Sequence, residues 1–207
     1  MSAAKARRGG DAAPGDAPRP LRGEARRGLL LEAALRVIAA EGPGALTHRR
    51  VAAEAELPLA ATTYWFSSKD ELLVEAYRLA AARDVDRLRT LADFGELPPA
   101  EIGPAFADLI ADELDHHRPA TMASFALWLE AARRPELRGV EREWAEQYAA
   151  VIRDVLAHAG ARDPDGAARI VVSTLDGLML AELATDTPTP RAELRALLGR
   201  LVEALLP

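Results

Sequence analysis

Side chains that can hydrogen-bond to a phosphate or to the edge of a base cluster in two short stretches of this sequence. Residues 47–49 supply a threonine, a histidine and an arginine, and residues 62–64 supply two threonines and a tyrosine. Lys69 follows at the predicted start of another helix, where an ammonium beside free backbone N–H groups favours a phosphate. These residue types at this spacing indicate contacts with a polyanion such as DNA.

Two short helices are expected to position these side chains, one over about residues 47–55 and the other over Leu59–Trp65. Thr47 is a good N-cap, and Pro58 interrupts the chain between the helices. This spacing is typical of a helix-turn-helix, whose second helix presents its exposed face to the major groove. That helix contains no Arg, Lys, Asn or Gln. Readout would therefore rely on hydroxyls, apolar contacts and DNA shape.

A tight helical corner in a bundle is the alternative interpretation of the same spacing, with Tyr64, Trp65 and Phe66 as core aromatics. The chain would then be a small-molecule-binding or catalytic helical bundle without a DNA role. In that case the substitutions Thr63→Ala and Tyr64→Ala would be silent for function.

Composition narrows the fold class. The 207 residues include no cysteine, which excludes a disulfide scaffold, a thiolate zinc site and a cysteine nucleophile. Ala and Leu dominate while aromatics make up 5%, a balance that favours helix over strand. No apolar run approaches the roughly 20 residues of a membrane helix, and no signal-peptide pattern is present. We expect a soluble, cytoplasmic, all-α protein.

The charge is distributed unevenly along the chain, although the formal net charge is −6. Residues 1–75 carry 11 basic and 10 acidic groups, whereas residues 76–207 carry 15 and 22. Residues 1–27 alone carry seven basic groups against three acids. A basic end on an acidic body indicates a polyanion contact at one pole, and a solvated tail without a partner is the alternative.

About nine helices and no strand are predicted. Residues 1–22, rich in Ala, Gly, Pro and Arg, are expected to form a disordered basic tail. Ser68 and Glu71 have the spacing of a capping box at the start of a long fourth helix. The predicted helices cover residues 24–41, 47–55, 59–65, 68–94, 99–117, 120–133, 135–159, 163–183 and 190–206.

The first 75 residues resemble the DNA-binding domain of the TetR (tetracycline-repressor-like) family of bacterial transcription regulators. Glu56 and Ala60 stand where many members have glycine, which costs stability if either position needs a positive φ. The resemblance covers residues 31–38, Gly42, Thr47, Val51-Ala52, Ala55, Leu57-Pro58-Leu59, Thr63-Tyr64, Phe66 and residues 68–73.

The resemblance implies a set of DNA-contacting residues and a division of the chain. Residues 23–67 would form the helix-turn-helix domain, and residues 68–207 a helical ligand-binding and dimerisation domain. Phosphate contacts are implied for Thr47, Tyr64 and Lys69, with His48 and Arg49 joining at the backbone. Groove contacts are implied for Leu59, Ala61, Thr62 and Thr63, and Trp65 stands where His or Tyr is more common.

The acidic remainder is expected to hold a ligand pocket and a dimer interface. The last two helices are too apolar for a single pair, so the resemblance implies a four-helix dimer interface that includes Leu178, Leu194, Leu198 and Leu201. A monomer that buries the same faces internally is the alternative. The predicted pocket, suited to an apolar or aromatic inducer, is lined by Phe106, Ile110, Met122, Phe125, Trp128, Trp144, Tyr148 and Met179, with Asp176 as a polar group.

No metal, cofactor or catalytic site is expected. His116 and His117 are adjacent on a helix and point about 100° apart, so they do not converge on one ion. The sequence lacks a phosphate-binding loop, a dinucleotide fingerprint and a nucleophile elbow. It therefore predicts a homodimeric repressor that binds a pseudo-palindromic double-stranded DNA operator and is released by a small-molecule effector. An activator or a ligand-independent regulator on the same scaffold is the alternative.

Overall fold

The computed structural model describes residues 19–91, 97–185 and 187–207, apart from the side chains of residues 19–22, 90 and 91. Within these ranges the chain forms helices and no strand. Short 3-10 turns cover Pro43–Ala45 and Pro135–Leu137. The α-helices are α1 (Arg19–Glu41), α2 (His48–Glu54), α3 (Leu59–Trp65), α4 (Lys69–Leu91), α5 (Pro99–His116), α6 (Arg118–Ala131), α7 (Arg138–His158), α8 (Pro164–Leu183) and α9 (Arg191–Leu205).

The all-α class is confirmed, and α3 has the predicted bounds. α1 begins at Arg19, so residues 19–22 of the expected disordered tail are helical, while residues 1–18 lie outside the described residues. The predicted end of the fourth helix, at residue 94, also lies outside them. No helix in the described ranges is long and apolar enough to cross a membrane.

Two hydrophobic cores share α4. The first joins α1, α2 and the start of α4 to α6, and it includes Leu72 and Tyr77 of α4. The second joins α5, α7, α8 and α9, and it includes Leu88 near the other end of α4. One continuous helix is therefore packed into both halves of the molecule.

A close crossing of α5 and α9 corrects part of the predicted dimer interface. A Cβ on Gly103 would collide with the backbone of Leu198, so only glycine permits this approach. The crossing buries Leu194 and Leu198 inside the protomer, and their predicted place in a dimer surface is wrong. Leu178 and Leu201 are half-buried against the same core. The most apolar face of α9 is covered by α5 of the same chain.

Candidate DNA interface and ligand cavity

The turn between α2 and α3 is fixed by backbone hydrogen bonds at the end of α2. The N–H of Glu56 donates to the carbonyl of Ala53 at 3.2 Å, and that of Leu57 donates to the carbonyl of Ala52 at 2.9 Å. These are the two bonds of a Schellman motif, which places Glu56 in the left-handed region with φ 55°. Leu57 then packs into the first core, so the motif sets the direction in which α3 begins.

Replacing Glu56 by glycine is expected to stabilise the fold by about 0.5–1 kcal/mol, because the left-handed conformation strains a residue that has a Cβ. Urea denaturation of the two proteins measures the change. Gly160, with φ 89°, occupies the same position after α7, and Gly160→Ala should lower stability by a similar amount. An unchanged or lower stability of Glu56→Gly would contradict the strain argument.

α3 presents a narrow outward face. Leu59 and Tyr64 are 49% and 79% exposed, and Ala60 and Thr63 are exposed beside them. Thr62 is fully buried, and its hydroxyl donates to the carbonyl of Leu59 at 2.8 Å. The predicted groove contact of Thr62 is therefore wrong, because the helical period places this residue on the inner face.

Two other residues of α3 take part mainly in packing. Trp65 is half-buried, and its ring lies so close to α1 that a Cβ on Gly23 would be 3.3 Å from it. Ala61 is also half-buried against the first core. The outward face therefore consists of Leu59, Ala60, Thr63 and Tyr64. The family resemblance did not imply a groove contact for Ala60.

The positive charge around α2 and the start of α4 is partly neutralised by neighbouring carboxylates. Arg50 pairs with Glu41 at 2.7 Å and with Glu54 at 3.1 Å, and these partners raise the pKa of its guanidinium. Arg49 is exposed and makes no ion pair within the described ranges. Lys69 donates to the carbonyl of Gly44 at 3.0 Å, which leaves further N–H groups of its ammonium available.

The other predicted backbone contacts lie around the start of α2. The hydroxyl of Thr47 accepts the N–H of Arg50 at 3.1 Å and so caps the helix, and Thr47 itself is exposed. His48 is half-buried, with its Nδ1 buried and without a hydrogen-bond partner. DNA contacts from Thr47, His48, Arg49, Tyr64 and Lys69 remain predictions.

A partly open cavity lies between α4, α5, α6, α7 and α8, and its roughly 620 Å³ of space includes open solvent. Six predicted residues are in its wall, namely Phe125, Trp128, Trp144, Tyr148, Asp176 and Met179. Phe106 and Ile110 are instead buried in the second core, and Met122 is 40% exposed on the outside of α6, so these three predictions are wrong. The sequence did not identify the remaining wall residues, Tyr77, Asp84, Leu109, Glu113, Thr121, Ser124 and Leu175.

Two of these unexpected wall residues are carboxylates that share one guanidinium. Arg87 of α4 donates to Asp84 and to Glu113 of α5, both at 2.5 Å. The hydroxyl of Thr121 donates to the other oxygen of Glu113 at 2.8 Å. Burial raises the pKa of Asp84 to about 6 although Arg87 opposes the shift. The spacing of Asp84 and Arg87, three residues apart on one helix, was the available sequence signal.

Asp176 of α8 is the third carboxylate, and it differs from the other two. It is half-buried and has no hydrogen-bond or ion-pair partner among the described residues, and desolvation alone raises its pKa to about 6. Burial and the nearby carboxylates also raise the pKa of Tyr148, which keeps its phenol neutral. Three carboxylates against one guanidinium give the wall an excess of negative charge at neutral pH.

Aromatic rings form much of the remaining wall. Phe125 and Trp128 meet edge to face with centroids 5.9 Å apart, and Trp144 and Tyr148 are tilted with centroids 5.4 Å apart. Such rings bind flat apolar molecules, and their faces attract a cation. A wall of this kind favours a flat aromatic molecule that brings a positive charge to Asp176.

Comparisons with known proteins cover both halves of the chain. Residues 30–76 match the family described as bacterial regulatory proteins, tetR family, and residues 97–204 match the tetracyclin repressor-like C-terminal domain. The nicotine-responsive transcriptional repressor HdnoR of Paenarthrobacter nicotinovorans is 28% identical over 87% of this chain and 94% of its own length. The regulator BetI of Agrobacterium fabrum is 31% identical over 83% of this chain and 84% of its own length.

A solved structure with a bound ligand is also similar. The multidrug binding protein EbrR, in complex with ethidium, is 37% identical, with a TM-score of 0.68. The match covers 85% of this chain and 97% of that one. EbrR has also been crystallised with malachite green and with proflavin.

Proposed function

This chain belongs to the TetR family of bacterial transcriptional regulators, and from that premise we propose that it is a homodimeric repressor released by an aromatic cation. α3 would read a pseudo-palindromic DNA operator in the cytoplasm. We propose residues 23–67 as the DNA-binding domain and residues 68–207 as the ligand-binding and dimerisation domain. The observation that carries the effector proposal is the unpaired, half-buried carboxylate of Asp176 in an aromatic cavity.

The cavity supports a cationic aromatic effector, which is a narrower class than the apolar or aromatic effector that the sequence suggests. Partial burial disfavours a carboxylate that has no counterion, and a ligand that supplies the missing charge removes that cost. Ethidium, malachite green and proflavin, each in complex with the relative EbrR, are aromatic cations. The role that we propose for the cavity is binding without catalysis.

An exposed apolar strip on α8 supports the proposed dimer. Ile170 and Leu180 are exposed on this helix, and the small exposed residues Gly177, between them, and Ala181, directly after Leu180, leave the backbone open to close approach. Leu197 of α9 is also exposed. A copy of the same strip would cover these residues and form a four-helix interface, as helix pairs in symmetric dimers do.

Replacing Leu180 by glutamate is expected to convert the dimer to monomers, because two buried like charges would face each other across the symmetric contact. Sedimentation velocity at micromolar concentration measures the change, and operator affinity should fall more than tenfold. Leu129→Glu is the matched control, since Leu129 is a 60% exposed leucine of α6. A Leu180→Glu protein that remained dimeric would overturn this interface.

Release from DNA would follow from a difference in effector affinity between two conformations of the dimer. DNA requires recognition helices about 34–36 Å apart, so that they enter successive major grooves. An effector that binds better to a wider-spaced dimer shifts the population away from DNA. Linkage then requires operator DNA to weaken effector binding by the same factor.

Selection of duplexes from a random pool by the purified dimer, followed by sequencing, tests the DNA part of the proposal. An enriched inverted repeat with half-sites about one helical turn apart supports it. Malachite green, added to the complex with that repeat, then tests release. No enrichment at low or moderate salt would support a helical bundle without a DNA role. Enrichment without release would support a ligand-independent regulator.

Affinity for the effector is expected to depend on pH because Asp84 and Asp176 both have a pKa of about 6. Protonation neutralises these groups, while Arg87 keeps its charge. Below pH 6 the ionised fraction of each carboxylate falls about tenfold per pH unit. Affinity for the cation should therefore fall about tenfold per pH unit for each carboxylate that must be ionised for binding. Titration calorimetry with ethidium between pH 4.5 and 8 measures the slope. Asp176→Asn should flatten it, and an affinity independent of pH would contradict the role of these groups.

A further inference from the structure

The outward face of α3 lacks any side chain that reads guanine or adenine with two hydrogen bonds. Its exposed members are Leu59, Ala60, Thr63 and Tyr64, and no Arg, Lys, Asn or Gln occurs anywhere in the helix. Bidentate recognition of guanine O6 and N7 needs Arg or Lys, and that of adenine N6 and N7 needs Asn or Gln. This helix must therefore discriminate between base pairs by another feature of the groove.

The hydroxyl of Thr63 is also directed to its own helix. Its Oγ1 lies 3.4 Å from the carbonyls of Leu59 and Ala60, both of which can accept its proton. This arrangement engages the donor of Thr63 and leaves the side-chain methyl group as its apolar contact surface. Leu59, Ala60 and Thr63 together form an almost wholly apolar patch, which we call the methyl-reading patch.

Neighbouring basic residues are placed to contact phosphates. Arg50 is held by Glu41 and Glu54, so it is not available to a base. Arg49 lies in the first turn of α2, the helix that crosses the DNA backbone in this motif. Lys69 is tied to the loop before α2 through Gly44. These contacts would orient the protein on DNA without identifying the sequence.

From this arrangement we infer that each operator half-site presents thymine C5-methyl groups to the methyl-reading patch. Thymine is the one base of unmodified DNA with a methyl group in the major groove, and Ala, Thr and similar side chains contact it. The protein thus selects A·T pairs at these positions by apolar contact. This inference rests on the proposed DNA-binding function and specifies the chemistry that the operator must display.

Replacing thymine by uracil in the selected operator tests the inference, because uracil keeps the base pair and O4 and lacks only the methyl group. Each contacted methyl should contribute about fourfold to affinity, so two in each half-site of a dimer should give about a 200-fold loss. Uracil placed outside the half-sites is the control and should change nothing. Fluorescence anisotropy with labelled duplexes measures all three affinities.

Leu59→Ala locates the contact. Leu59 is half exposed, so its truncation leaves the core intact. In this variant, replacing the thymine that faces residue 59 by uracil should hardly change operator affinity. In the control variant Leu129→Ala the same replacement should cause the full loss of affinity. A uracil penalty of equal size in Leu59→Ala and in the parent protein would overturn the assignment to this residue.

The outcomes separate this inference from the proposed function. An enriched inverted repeat whose affinity is unchanged by uracil, or whose half-sites contain no thymine, would overturn methyl reading while leaving the regulator intact. Failure to enrich any sequence would overturn the proposed DNA-binding function itself. A loss that depends on both the methyl group and Leu59 supports the inference.

Discussion

Replacing Asp176 by asparagine is expected to weaken binding of ethidium by about 30- to 150-fold. The substitution keeps the size of the side chain and removes the one cavity carboxylate that has no partner among the described residues. Hydrogen bonds and ion pairs to a buried charge contribute about 2–3 kcal/mol, which corresponds to this change in Kd. Titration calorimetry at pH 7.5 without DNA measures it.

Asp165→Asn provides the matched control for charge, because Asp165 lies in the first turn of the same helix with its side chain 80% exposed. Its affinity for ethidium should equal that of the parent protein. The Asp176→Asn protein should also be more stable without ligand, since it no longer buries a carboxylate at a pH above 6. Equal ethidium affinity in Asp176→Asn and Asp165→Asn would remove Asp176 from the proposed site.

Replacing Tyr64 by phenylalanine is expected to lower operator affinity by about 100-fold. The side chain is 79% exposed, so its hydroxyl has no structural role inside the protein. A bond from this hydroxyl to a charged phosphate contributes about 1.5 kcal/mol in each half-site, and the dimer loses two. Fluorescence anisotropy with the selected inverted repeat measures the change.

The response of Tyr64→Phe should be uniform across DNA sequences, because a phosphate contact positions the protein without reading bases. Binding to a random duplex should therefore weaken together with binding to the operator. Ethidium affinity and the helical circular dichroism spectrum should not change. Operator affinity equal to that of the parent protein would mean that the Tyr64 hydroxyl does not contact the backbone.

Local patterns predicted the helix-turn-helix well because its geometry depends on neighbours in the chain. The cap at Thr47, the break at Pro58 and the bounds of α3 all follow from such signals. The error at Thr62 arose from residue type, since a hydroxyl next to Thr63 and Tyr64 suggested a polar face. The bond from Thr62 to the carbonyl of Leu59 is what satisfies that hydroxyl inside the protein.

The cavity was harder to predict because its character depends on contacts between distant residues. Asp84 and Glu113 are expected to be solvated when taken singly, and only the packing of α4 on α5 brings both to Arg87. Phe106 and Ile110 are suitable in type but lie on the face of α5 that meets the second core. An apolar residue type indicates that a residue is buried, but it does not indicate which helix covers it.

The same limit applies to the last two helices. Leu194 and Leu198 repeat on one face of α9, and such a stripe is equally suited to a partner in the same chain or in a second copy. Gly103 decided the outcome, because its missing Cβ lets α5 approach that stripe. The close approach becomes visible only when the two helices are seen together.

Because α4 is one continuous helix, a small tilt at the cavity causes a large displacement at its Lys69 end. Tyr77 belongs to the first core and to the cavity wall, and Asp84 of the same helix lies beside the proposed effector. From Asp84 to Lys69 is 15 residues, or about 22 Å along the axis. A tilt of about 5° at the cavity therefore moves the Lys69 end by about 2 Å, and a symmetric dimer doubles this to about 4 Å between its recognition helices. Because phosphate and groove contacts tolerate much less than that, a ligand needs to rotate one helix only slightly to misalign both half-sites at once.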